Sequence, residues 1–90
     1  MRCIELFPDL SHCIETVAKQ EFWSSVNNYM ANERENTELK DKIELLKAFL
    51  ETMDFGKLRS ESEQHLVRGK KVKFVVYWEE DKPRYKMIIG

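Results

Sequence analysis

The sequence predicts an α+β domain in which two or three helices pack on a C-terminal antiparallel β-hairpin. Two observations carry this. Residues 71–78 (KVKFVVYW) and 84–89 (RYKMII) alternate in the two-residue rhythm of strands around the acidic turn Glu79-Glu80-Asp81-Lys82-Pro83. Upstream, residues 10–66 repeat their apolar side chains at helical spacing. Helices followed by strands fit a segregated two-layer architecture.

Taken in order, residues 2–7 (RCIELF) are short and apolar, and read equally as a strand or an irregular lead-in. Pro8-Asp9 ends them, and Asp9 or Ser11 has the side-chain oxygen that an N-cap requires. Leu10, Cys13, Ile14 and Val17 then follow i, i+3, i+4, i+7 spacing, and Phe22, Trp23, Val26, Tyr29 and Met30 continue it on a broader face. The expectation is a helix over 9–30, either continuous or bent near 19–21. Residues 32–36 (NEREN) are polar and read as the linker. Asn36 or Thr37 can cap a second helix over 37–53. In it Leu39, Ile43, Leu46, Leu50 and Met53 step by four and three, the seam of a packed helix. Two heptads are too short for a free-standing coiled coil, so an antiparallel pairing with the first helix is expected. A third, short helix begins at Asp54 or, by its capping-box spacing to Glu63, at Ser60. It ends near Arg68, before the stop glycine Gly69.

In the hairpin, Val72, Phe74, Val76 and Trp78 share one face with Tyr85, Met87 and Ile89, and that face should be buried. The opposite face mixes Lys71, Lys73, Arg84 and Lys86 with Val75, Tyr77 and Ile88. A purely solvated face has no need of the last three. An isolated hairpin is marginal in water, so this one must dock on the helices or extend its sheet with a second chain.

Ninety residues form one small domain, 1–90, and 42% hydrophobic content is that of a folded chain. Charge is uneven. Residues 1–55 carry six bases and eleven acids, a net −5, whereas 56–90 carry nine bases and five acids, a net +4. This favours either an anionic partner at one end or head-to-tail association, although charge patches on small domains are often only solvated surface. Cys3 and Cys13 are too few for a disulfide framework, residues 1–10 lack the apolar core of a signal peptide, and no run nears the roughly 18 apolar residues of a membrane span. A cytoplasmic protein with reduced thiols and no membrane partner is expected.

Sequence motifs point to no reaction. Cys3, His12, Cys13 and His65 lack the paired spacing of a zinc site. A Cys13–His65 nucleophile pair has no local signature, and Cys13 sits on an apolar face where cysteines act as small hydrophobes. Glu79, Glu80 and Asp81 read as a solubilising turn rather than a cation site. Gly56, Gly69 and Gly90 are isolated, so no phosphate loop forms and no cofactor is implied. The Phe22–Met30 aromatic stripe could line a peptide groove, but such spacing more commonly builds core.

Two functional classes remain. The first is a non-catalytic interaction or regulatory module that self-associates, the hairpin edges pairing two copies into a four-stranded sheet, or that meets another protein. The second is a single-stranded nucleic-acid-binding domain, with basic side chains for phosphates and Tyr77 as a stacking platform. Both use one set of residues: Arg68, Lys71, Lys73, Val75, Tyr77, Arg84, Lys86 and Ile88, with Lys70 beside them. Against the second stand a single exposed aromatic and a pI of about 6.1. An enzyme with a site assembled from scattered residues is a distant third.

Overall fold

The computed structural model describes residues 3–31 and 35–90. The elements run β1 (Cys3–Leu6), α1 (Ile14–Ala31), α2 (Thr37–Thr52), α3 (Phe55–Leu66), β2 (Val72–Glu79) and β3 (Lys82–Ile89). The class is α+β, and of the two readings left open for the segment before Pro8 the strand is the one adopted, ahead of the helices. β1 joins the hairpin to make a three-stranded antiparallel sheet of order β1-β2-β3, with Ile4 opposite Val76 and Leu6 opposite Phe74. Those two β1 residues are buried while Cys3 and Glu5, which alternate with them, are exposed, so four residues with clean alternation suffice to form a strand.

The first helix starts later than the sequence suggests. Asp9 does not cap it. Its Oδ1 accepts from the backbone N–H of Ser11 (2.8 Å) and of His12 (2.7 Å), which closes a separate turn before the helix. These bonds, that of His12 foremost, hold the Asp9 carboxyl below its usual range. α1 then runs unbroken to Ala31, without division near residue 20. Of the predicted linker, residues 32–34 lie outside the described residues. Asn36 caps α2 through Oδ1 to the Leu39 N–H at 3.0 Å, and Asp54 caps α3 through Oδ1 to the Lys57 N–H at 3.2 Å. The alternative start at Ser60 is not used, because the Asp54 cap adds a turn and a half that carries Phe55 and Leu58 into the core. α3 closes with paired bonds from Gly69 N–H to Leu66 O (3.0 Å) and Lys70 N–H to His65 O (3.1 Å). Gly69 sits at φ 80°, the left-handed conformation that this stop requires.

The hairpin turn is tighter than the five acidic and flanking residues suggested. Only Glu80 and Asp81 lie outside the strands, at φ 52° and 62°, the two-residue turn whose twist matches its flanking strands. Lys82 and Pro83 therefore belong to β3. Lys71 and Gly90 exchange both backbone bonds (3.2 and 2.9 Å), which fixes the alternation along the ladder. Residues 82, 84, 86 and 88 bond to β2, whereas Pro83, Tyr85, Met87 and Ile89 direct their backbone away from it. Pro83 thus sits where its missing N–H costs no ladder bond.

All three helices cover one face of the sheet. α2 lies over β2 and β3, α3 touches β2, and α1 packs on both other helices and on β1. At the centre are Phe49 of α2 and Phe74 of β2, both fully buried, with Leu46, Ile14 and Val76 around them. Phe49 meets the ring of Phe55 at 5.4 Å and that of Tyr85 at 6.5 Å, edge to face, and Tyr85 lies 5.8 Å from Phe74. Not every predicted core residue is inside. Trp23 (60% exposed) and Met30 (58%) face solvent on α1, and Trp78, at the end of the sheet where helix cover runs out, is 37% exposed. Among the described residues no helix is long and apolar enough to cross a membrane.

Two stability outcomes follow. Phe49→Ala should cost about 3–5 kcal/mol, read by urea unfolding, because its cavity opens between α2, α3 and β3. Asp81→Gly should stabilise by about 0.5 kcal/mol, since it relieves a left-handed cost of roughly 1–2 kcal/mol and adds roughly 0.5–1 kcal/mol of unfolded-state entropy.

Candidate interaction surface

The solvent face of the sheet is built by alternation from all three strands. Cys3 and Glu5 come from β1, Lys73, Val75 and Tyr77 from β2, and Arg84, Lys86 and Ile88 from β3. The register lines up Cys3, Tyr77 and Arg84 in one row and Glu5, Val75 and Lys86 in the next, with Lys73 opposite Ile88. Six of the eight residues singled out from sequence therefore share one surface. A seventh, Lys71, bonded to Gly90 just before β2, continues the alternation of Lys73 and Val75 at the end of this face, whereas Arg68 lies off the strands. Arg68 is in the turn after α3, with Lys70 between it and Lys71 in sequence.

The face is less basic than its sequence. Glu5, which β1 inserts beside the hairpin, meets Lys73 Nζ at 2.8 Å. Lys86 Nζ lies 5.7 Å from the centre of the Tyr77 ring, a cation–π arrangement that occupies both the charge and the aromatic surface. Val75 and Tyr77 are half-buried by these neighbours, and Ile88 stands 46% exposed at the margin. The sequence pattern of the hairpin alone could not reveal Glu5 as a member, because that depended on residues 3–6 forming a strand.

The sheet edges are the second component. β3 is eight residues long, and its outer side carries the backbone N–H and C=O groups of Tyr85, Met87 and Ile89, none of which bonds to β2. Side chains of these three are half-buried against the core. Burial, with the Glu61 carboxylate nearby, holds the Tyr85 hydroxyl above its usual range.

The cysteine and histidine candidates lie in separate surroundings among the described residues. Cys13 occupies the N-cap of α1, where its Sγ lies 3.3 Å from Thr16 Oγ1. That hydroxyl, the backbone N–H groups of Thr16 and Glu15 and the Arg59 guanidinium hold its thiol below the usual range, against the effect of partial burial. Among the described residues no hydrogen bond joins Cys13 to His65, whose Nδ1 is buried without a partner. His12 instead bonds Asp9 (3.3 Å), and Arg59 is paired with Glu63 (2.8 Å). No three His, Cys, Asp or Glu side chains gather as metal ligands among the described residues.

Thiolate absorbance at 240 nm, followed against pH in a Cys3→Ser background, should give a Cys13 midpoint below the ordinary value of about 8.5. Thr16→Val should move that midpoint upward, because it removes the hydroxyl that contributes most to stabilising the thiolate.

No curated protein and no solved structure matches the chain. A protein-family model whose description names no activity matches residues 2–87, and the chain belongs to that uncharacterised family.

Proposed function

We propose that this domain is a non-catalytic interaction module that self-associates through the free edge of β3. The observation that carries the reading is the row of outward backbone groups at Tyr85, Met87 and Ile89, on a strand long enough to pair and with no further strand beside it among the described residues. Unpaired edges of this kind template strand addition unless something blocks them. Pro83 blocks one end of the edge, next to the turn, and leaves the other end open. Antiparallel pairing about a two-fold axis sets Met87 opposite its symmetry mate and Tyr85 opposite Ile89. The hairpin does not supply both pairing edges, because β1 already occupies the outer side of β2. The assembled sheet therefore has six strands rather than four. Both cysteines are free, which fits a reducing cytoplasm.

A single-stranded nucleic acid on the solvent face is the alternative reading. It has less support, because Glu5 neutralises Lys73 and Lys86 already covers Tyr77. Phosphate contacts would make such binding fall steeply with salt.

Size-exclusion chromatography with light scattering should give twice the chain mass of 10.8 kDa at both low and high salt. Met87→Pro removes an outward N–H while leaving the ladder to β2 intact, and should give a folded monomer. Lys86→Pro removes a ladder bond and should lower the melting temperature far more. A wild-type mass of 10.8 kDa at every concentration would overturn self-association. A 260 nm-absorbing cargo released only at high salt would favour the nucleic-acid reading.

A further inference from the structure

The opposite sheet edge carries a different surface. The ladder alternation bonds Ile4 and Leu6 of β1 to β2, so Cys3 and Glu5 direct their backbone N–H and C=O groups outward. Beside this edge runs an open groove of about 630 Å³ between β1 and the helices. Ile4, Leu39 and Leu45 form its apolar base, and Trp78 lies at the sheet end. Around them stand the carboxylates of Glu5, Glu21, Glu38 and Asp41, against Lys42 as the one base among the described lining residues. Lys42 is paired with Glu21, and Glu5 with Lys73.

We infer that the β1 edge is a docking site for an extended, basic segment of a partner protein, which adds as a strand and lays a lysine or arginine over Trp78. Three features select this occupant. Outward amides and carbonyls at alternate residues bind extended backbone and leave sequence to be read by side-chain pockets. A residue of the added strand that faces the helices enters the groove, where a partly exposed indole and the exposed Glu38 carboxylate favour a cationic head group with an aliphatic stem. The β3 strand itself carries only the bases Lys82, Arg84 and Lys86, with Glu61 near Tyr85 and the turn acids at one end, so it lacks an acidic groove of this kind. The two edges are thus chemically distinct, and this site does not depend on pairing at β3.

The test uses the full chain with Trp23→Phe, so that Trp78 is the sole tryptophan. Its emission is followed on titration with the capped peptide (Lys-Val)4, with (Glu-Val)4 and with (Lys-Pro)4, which lacks half the strand donors. (Lys-Val)4 should shift the emission with a midpoint below about 1 mM, and (Lys-Pro)4 should bind at least about tenfold more weakly. (Glu-Val)4 should leave the emission unchanged. Glu38→Lys, at an exposed position of α2, should weaken (Lys-Val)4 by about tenfold or more at an unchanged melting temperature. Equal binding of (Lys-Pro)4 would show attraction by charge without strand addition and overturn the inference. So would binding of (Glu-Val)4, or a silent Trp78 at about 1 mM (Lys-Val)4. Conversion of a dimer to monomer by (Lys-Val)4 would assign the groove to a second copy and overturn it as well.

Discussion

With all three helices on one side, the sheet has one covered face, one open face and two open edges, and the rest of the molecule is arranged around that imbalance. β2 is central and supplies Val72, Phe74 and Val76 to the core, while both of its neighbours end the sheet. Everything apolar enough to hold the domain together must be gathered on the helix side. Phe49 does much of this, linking α2 to Phe55 of α3 and Tyr85 of β3. A chain of ninety residues has little stability to spare, so whatever meets the open edges changes both assembly and stability.

The open face and the open edges differ in how they are handled. On the face, Lys73 meets Glu5 and Lys86 lies over the Tyr77 ring, while Arg84 and Ile88 are also exposed there. On the edges no such compensation exists for the backbone, since an amide facing water in a strand remains ready to pair. Interaction through backbone therefore accounts for more of the geometry than interaction through the basic side chains. The chain also separates its charges, with acids around β1 and α2 and bases along β3, the asymmetry on which the proposal of different occupants for the two edges rests.

Much of the fold was legible in sequence because it rests on local rules. The α2 seam, the Gly69 stop and the alternation of the hairpin are each written in a few adjacent residues, and each formed where those residues put it. What escaped depended on competition or on distance. Asp9 has the side chain of a cap, but its own Asx turn consumed it, which delayed α1 to Ile14. Glu80 and Asp81 adopt left-handed backbone without glycine, so the tight turn carried no glycine signal and its flanking residues passed for loop. Residues 3–6 become a strand only because β2 offers an edge sixty-eight or more positions away, and with them Glu5 arrives to neutralise Lys73. The basic patch was therefore overstated in sequence, and the groove beside β1 had no sequence signature at all.

Central to this account is the claim that the β3 edge pairs with a second copy. Amide hydrogen exchange at Tyr85, Met87 and Ile89, measured at high and at dilute protein concentration, tests it at the atoms concerned. Pairing predicts that these three N–H groups are protected in the concentrated sample and lose that protection on dilution, while Arg84, Lys86 and Ile88, which bond to β2, stay protected in both. Rapid exchange of Tyr85, Met87 and Ile89 at every concentration, beside protected neighbours, would contradict it.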